Sequence, residues 1–356
     1  MDDTGSTSER ENFEDMVDSR PVASVRHPWQ GSTREHSQSN DRIRCMGDSR
    51  HRTALTPRMA LDMAAPHTWP AAILPTLLAA ACAAATTSIL SVSMTIVLLL
   101  IVVFMQSSAN TFNDYFDYIK GTDDAAADVD PHDAVLVYNN IDPHEALRLA
   151  IGYLAVPFVL GVYVIVRTGP VPLIIALVGA LFVVVYSAGK TPLSYLPLGE
   201  VASGLVMGGL IPLACYQALA GQFSWLALVW AVPEVIGVSL IMFTNNTCDI
   251  ERDKPARRST LPVLLGRARA RGVYRVLVIV MVASMVVVTG AFFPRGLIVA
   301  PFMLAASYPI VAALMRNPLD GAHRQQAMAQ CLTVNVVLGA FYCAGIFASA
   351  SCTLAL

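Results

Sequence analysis

Nine apolar stretches follow one another along the chain, at about 69–88, 92–117, 147–166, 170–187, 198–219, 224–248, 272–291, 295–315 and 326–349. Each approaches the roughly 20 residues with which an α-helix crosses a hydrocarbon layer about 30 Å thick. Only 14% of the residues are charged, against roughly a quarter in soluble domains, so a water-soluble core is excluded. Apolarity runs without the alternation that lipid-facing strands need, which excludes a barrel. The expected fold is therefore all-α: a polytopic membrane protein with nine transmembrane helices. Short Pro/Gly or polar breaks separate the stretches, apart from two longer charged loops at 118–146 and 249–271.

Residues 1–58 are different. They are polar, hold nine of the 24 Lys and Arg and ten of the 26 Asp and Glu, and lack sustained periodicity. Such a segment cannot bury enough surface to offset its ordering entropy and is expected to be a disordered tail, with residues 59–356 forming the membrane domain. With a net charge of −2, no basic excess points to nucleic acid. The seven cysteines form no CxxC pair and stand at no zinc-like spacing to histidine, so they read as small buried hydrophobes.

Placing the N-terminus in the cytoplasm puts 22 of the 24 basic residues on that side and leaves only Arg167 and Arg295 outside. The positive-inside rule then fixes the orientation, with an external C-terminus. In this arrangement the second and sixth segments both end at the cytoplasmic face.

Those two ends carry matching polar patterns. Asn110, Asn113, Asp114 and Asp117 fall at i, i+3, i+4 and i+7, one stripe of a helix. Asn245, Asn246, Asp249 and Asp253 are expected to form a second stripe. Both contain N-[ND]-x-x-D, four segments apart, which hints at an internal duplication. Interfacial Asp residues often do no more than end a helix in water. Here, however, Asp stands at helix C-termini, where the dipole favours cations, and charge inside an apolar helix costs roughly 2.5–3.5 kcal/mol at mid-membrane. Two matched stripes therefore point to a site.

Hard oxygen donors of this kind suit Mg²⁺, which keeps waters and bridges carboxylates to substrate phosphates. Two acidic rims at one depth suit a Mg²⁺-bound diphosphate, with the cation neutralising charge on the leaving group. Lys120, Lys190, Arg252, Lys254, Arg257 and Arg258 stand near enough in sequence to contact phosphate oxygens. The basic run Arg267–Arg275 is read as topogenic. A diphosphate beside an apolar bundle implies a lipid diphosphate, whose tail gains about 0.8 kcal/mol per buried methylene from helix surfaces or membrane lipid.

At these residues the sequence resembles the UbiA superfamily of membrane prenyltransferases, and within it the 1,4-dihydroxy-2-naphthoate polyprenyltransferases. The likeness covers about 64–349. NDYFDYIKGTD matches the first Asp-rich motif and NNTCDIERD, followed by TLPVLLG, the second; YSAGK carries the Tyr-x-x-x-Lys pair, and PHTWP at 66–70 resembles the family's opening of the first helix. The resemblance implies metal–diphosphate roles for Asn113, Asp114, Asp117, Asp123, Asn245, Asn246, Asp249 and Asp253, and diphosphate contacts for Tyr186 and Lys190. It implies a UbiA-type bundle in a bacterial inner membrane, with Mg²⁺ as cofactor and a polyprenyl diphosphate and an aromatic acceptor as substrates. Ionisation of the allylic C–O bond is followed by attack of the electron-rich ring, which then loses carbon dioxide or a proton. Three places depart from the pattern: the loop after the first motif lacks its usual basic residue, Cys248 stands where the second motif has Arg, and Ala65 replaces a basic residue before PHTWP.

Two polar residues inside apolar stretches remain. Glu234 is expected in the outer half of the sixth helix, protonated or snorkelling outward, and Glu200 as a cap at the start of the fifth. The alternatives are a UbiA-type enzyme for another acceptor such as 4-hydroxybenzoate, or a cation-coupled transporter. Transporters place such groups near the midplane rather than at helix ends.

The topology is directly testable. In a chain with Cys45 replaced by Ser, a membrane-impermeant thiol reagent should label Cys352 in intact cells. Labelling only after permeabilisation would reverse the orientation or change the number of crossings.

Overall fold

A computed structural model of the chain describes residues 53–120, 135–187 and 193–355. All nine apolar stretches are helical over these residues. A short helix α1 (Pro57–Met63) precedes α2 (Pro70–Thr87) and α3 (Val92–Lys120). Next come α4 (Pro143–Thr168) and α5 (Val171–Ser187). The fifth stretch is α6 (Gly199–Ser203), a π-helical turn (Gly204–Leu210) and α7 (Ile211–Ala220). After a turn of helix at Leu226–Trp230 come α8 (Val232–Cys248), α9 (Arg267–Phe292), α10 (Ala300–Arg316) and α11 (Arg324–Ala348).

Among the described residues, seven helical stretches are long and apolar enough to cross a membrane. The two that fall short are the fourth and the sixth. The fourth is α5, described over the 17 residues Val171–Ser187, after which residues 188–192 lie outside the described set. The sixth breaks at Ala231 and carries Glu234, Asn245 and Asn246 in the 17 residues of α8. The chain is thus a multi-pass helical protein. Phe158, Val166, Leu181, Val287, Ile298, Phe302 and Tyr308 are all more than 60% exposed, a surface suited to lipid and not to water.

Packing depends on small residues. The Ala-rich second half of α2 is buried among α7 and α11. At Gly208 a Cβ would stand 2.6 Å from the Glu234 carbonyl, and at Gly204 it would collide with Ser239 Oγ. The π turn containing them therefore lies directly on α8. Such turns insert a residue and rotate what precedes them, here α6 with Glu200.

The strands Ile89–Ser91 (β1) and Thr353–Ala355 (β2) pair in parallel. They tie the α2–α3 connection to the end of α11. Since α3 starts at this clasp, its C-terminal end lies at the opposite end of the bundle. The same reasoning places the start of α11 there. Five of the six described cysteines are buried, and all six are free thiols, as their apolar surroundings led us to expect.

Residues 53–58, assigned on composition to the tail, belong to the folded part. Thr53 N–H donates to Asn140 O at 3.0 Å, Leu55 N–H to Glu145 Oε2 at 3.3 Å, and Thr56 Oγ1 caps α1 by accepting from Met59 N–H at 3.2 Å. The remaining tail residues, 1–52, lie outside the described residues. A chain beginning at Thr53 should therefore keep the melting temperature of the full chain in detergent. One beginning at Met59 should lose about 1–3 kcal/mol through the missing bonds and cap. Equal melting temperatures for the two truncations would show that this strap contributes nothing.

Candidate diphosphate and metal site

The first motif sits on the last turns of α3. A helix of 29 residues is about 43 Å long, so its polar end projects beyond a hydrocarbon layer. Asn110 is turned away from any site. Its Nδ2 donates to Ala64 O at 3.0 Å and to Thr68 Oγ1 at 2.9 Å, anchoring the turn that opens α2. Ala65 in that turn is left-handed, at φ 48°. Further along α3, Asn113 is exposed and Asp114 half-buried. Asp117 and Lys120 lie on α3, but their side chains are outside the described set. Asp123 and Lys190 lie outside the described residues.

The second motif is built differently from the expected stripe. Helix α8 stops at Cys248, and Asp249, at φ −96° and ψ 12°, breaks it before a separate turn at Ile250–Asp253. The break sends neighbouring side chains to different partners. Asn245 Oδ1 accepts from Arg324 Nε at 3.1 Å and Nη2 at 2.8 Å, so this oxygen, expected as a metal ligand, is held by a guanidinium. Asn246 Nδ2 donates to Glu200 Oε1 at 2.8 Å. Asp249 Oδ2 lies 3.3 Å from Arg324 Nε.

Asp253 folds back into the protein and is only 2% exposed. Its Oδ1 pairs with Arg258 Nη1 at 3.0 Å, and its Oδ2 accepts from Thr260 Oγ1 at 3.4 Å. Burial raises its pKa above the usual carboxylate value; Arg258 opposes the rise, and the charges of Asp249 and Glu200 add to it. Arg257, at φ 54°, makes the left-handed turn that returns Arg258 to this place, where its guanidinium lies over the Tyr195 ring at 5.3 Å. Tyr186 lies within electrostatic reach of Glu200 and Arg258. Arg252, Lys254 and Arg257 are exposed and form no ion pair among the described residues, so of the expected phosphate contacts in this loop only Arg258 is drawn into the cluster. Arg267 does structural work. It donates to Thr247 O and Leu319 O and pairs with Glu251, and its hydrogen bond holds the Glu251 carboxyl below the usual range.

Two residues of the cluster were not expected there. Glu200, read as a helix cap, makes no capping bond; it is 2% exposed and aimed at Asn246. Arg324, read only as a topological charge, grips the second motif. Glu234 does not snorkel: it is buried, with Oε1 unpartnered, at the far end of α8 from Asp249.

Three buried oxygens in this cluster accept no hydrogen bond: Glu200 Oε2, Asn246 Oδ1 and Asp249 Oδ1; Arg258 Nε donates none. Leaving such groups unpaired costs about 1–3 kcal/mol each. This donor set fits a hard divalent cation. No three carboxylate, histidine or cysteine side chains among the described residues form a closed cage, so waters and ligand oxygens would have to complete the shell. That is the usual manner of Mg²⁺. Arg324 meets Asp249 at the bundle end opposite the β1–β2 clasp, the end at which α3 also terminates, so both motifs share one end.

The profile of the UbiA prenyltransferase family matches residues 72–352. A 1,4-dihydroxy-2-naphthoate octaprenyltransferase of Bacillus subtilis is 29% identical over 209 residues, 59% of this chain and 66% of that protein, just under two thirds of its length. The Mycobacterium leprae protein of the same name is 29% identical over 242 residues, 66% and 80% of the two chains. UbiA prenyltransferase domain-containing protein 1 of Danio rerio is 25% identical over 329 residues, 87% and 91%. Among solved structures, a UbiA homolog from Archaeoglobus fulgidus superposes with a TM-score of 0.58 at 17% identity, over 82% of this chain and 98% of that one. The same homolog bound to DMAPP and Mg²⁺ gives 0.57 over 81% and 98%.

The Glu200–Asn246 bond gives a stability test. Glu200→Ala leaves the buried Asn246 amide without its acceptor and should cost about 1–3 kcal/mol, whereas Glu200→Gln keeps an acceptor oxygen and should cost less. Equal melting temperatures for the two variants would mean that the bond does not form.

Proposed function

The chain belongs to the UbiA prenyltransferase family, and we propose that it transfers a polyprenyl group from a polyprenyl diphosphate to 1,4-dihydroxy-2-naphthoate, with loss of carbon dioxide. The observation that carries this reading is the set of unpartnered oxygens on Glu200, Asn246 and Asp249, beside the unpartnered Nε of Arg258. Acceptors for a cation and a donor for an anion wait at one place, which is the demand of a metal diphosphate. The cofactor is Mg²⁺, the ion bound with DMAPP in the Archaeoglobus homolog. The choice of acceptor is supported by two bacterial relatives named for it, and by NDYFDYIKGTD and TLPVLLG in the sequence. The corresponding setting is a bacterial cell membrane, with both motifs at its cytoplasmic face.

In this reading Asp114, Asp117 and Asn113 hold the cation–diphosphate from the α3 side, and Asn246 and Asp249 from the α8 side, while Asp253, whose two oxygens are taken by Arg258 and Thr260, holds Arg258 in place. Bound Mg²⁺ supplies positive charge against the diphosphate as it departs. Arg258, fixed by Asp253 and Tyr195, presents its free Nε to phosphate oxygen, Tyr186 stands within electrostatic reach of it, and Lys190 is assigned a phosphate contact from the Tyr-x-x-x-Lys pair alone. Arg252, Lys254 and Arg257 form an outer basic rim that attracts the diphosphate, and Lys120 is assigned to it from its place in the first motif alone. The prenyl tail lies along apolar helix surfaces and lipid. No nucleophilic side chain is required, because the acceptor ring itself forms the new bond.

Assays with one polyprenyl diphosphate and either 1,4-dihydroxy-2-naphthoate or 4-hydroxybenzoate should give product only with the naphthoate. Asp117→Asn and Asp249→Asn should each lower transfer about 100-fold or more and raise the Mg²⁺ needed for residual activity. Because both act on one bound ion pair, the double variant should be scarcely worse than either single one. Multiplicative losses, or full activity in chelator, would leave these residues structural.

A further inference from the structure

Asp249 and Arg324 are each in the wrong place for their own helix. Asp249 is the C-cap of α8, where the dipole disfavours an anion; Arg324 is the first residue of α11, where it disfavours a cation. Each is thus unexplained by helix stability, and the two meet at 3.3 Å, 75 residues apart in sequence. The same guanidinium reaches Asn245 Oδ1 with Nε and Nη2. It therefore spans two side chains four residues apart, across the point where α8 breaks. Cys248 beside them is buried and uncharged, so this chain draws its guanidinium from another helix.

Resting on the reading above, we propose that Arg324 is a positioning residue for the second acidic motif. It holds Asp249 by Oδ2 and Asn245 by Oδ1, and so presents Asp249 Oδ1, the oxygen without a partner, to the divalent cation. A carboxylate free to turn would offer either oxygen in many directions; one pinned at Oδ2 offers a single oxygen in one. Neighbours that orient metal ligands in this way typically contribute 10–100-fold to affinity or activity.

The charge of Arg324 and its geometry predict opposite results. As a mere counter-ion it would compete with the cation, and removing it would tighten metal binding. As a positioning residue its removal loosens metal binding. Mn²⁺ titration followed by electron paramagnetic resonance on the purified full chain, without substrate, separates these. Arg324→Ala should weaken Mn²⁺ binding about tenfold. Arg324→Lys, which keeps the charge but cannot bridge both side chains, should weaken it by a similar amount. Asn245→Ala, which removes half of the tether and leaves Arg324 in place, should shift affinity in the same direction by less, and serves if Arg324→Ala is not monodisperse. In transfer assays, Arg324→Ala should lower kcat about tenfold or more while KM for the polyprenyl diphosphate stays within about threefold.

Unchanged or tighter Mn²⁺ binding in Arg324→Ala, or full retention in Arg324→Lys, overturns the proposal. A raised KM with kcat preserved also overturns it, and makes Arg324 a phosphate contact. If the wild-type chain binds Mn²⁺ but transfers no prenyl group, the proposed function fails, while the Mn²⁺ comparison still decides the role of Arg324.

Discussion

A carboxylate at the C-terminal end of an apolar helix is opposed both by the dipole and by the low dielectric beside it. The second motif places two there, Asp249 and Asp253, with Glu200 close by. The surrounding chain is arranged around that cost. Arg324 comes from α11 to Asp249, Arg258 returns through a left-handed turn to Asp253, and the Asn246 amide faces Glu200. These contacts offset part of the charge and leave three oxygens unpaired. The shortfall is the property that makes the place receptive to a cation, since a fully satisfied network would have nothing left to offer.

The two motifs share a spelling but not a structure. On α3 the helix runs on through Asn113, Asp114 and Asp117, and Asn110 is spent on packing, against the turn before α2. On α8 the helix breaks at Asp249, and its Asn and Asp residues divide among α6, α11 and the loop that follows. If an ancestral four-helix unit was duplicated, the second copy has taken on contacts with remote parts of the chain. Its geometry is set by contacts 46 and 79 residues apart in sequence.

Much of this was legible in the sequence because hydrocarbon reads composition so strictly. Every apolar stretch became helix, and the polar ends marked the functional end of the bundle. The length of α8 was less legible. Segment bounds drawn on apolarity alone do not register that Ala231 breaks the sixth stretch, nor that Glu234 and two Asn lower its hydropathy. The single stripe over Asn245–Asp253 assumed an unbroken 3.6-residue period, which Asp249 interrupts. Residues 53–58 were read by composition, whereas their order comes from backbone hydrogen bonds that composition does not express. Glu200 and Arg324 were hidden because their partners are remote in sequence. A signal did exist for Arg324: a cation at a helix N-terminus calls for a reason just as an anion at a C-terminus does.

The π turn connects the packing of the bundle to its chemistry. Gly204 and Gly208 let the fifth stretch lie directly on α8, with no room for a Cβ at either position. Close approach fixes the separation of the two elements, and the additional residue in the turn fixes the rotation of what precedes it. Glu200 is four residues before Gly204, on the short helix that the π turn reorients, and it arrives buried against Asn246. A regular α-helix through this stretch would carry Glu200 around toward another face, away from the Asn246 amide. The glycines that let the π turn lie on α8 therefore also help to bring Glu200 to the second motif.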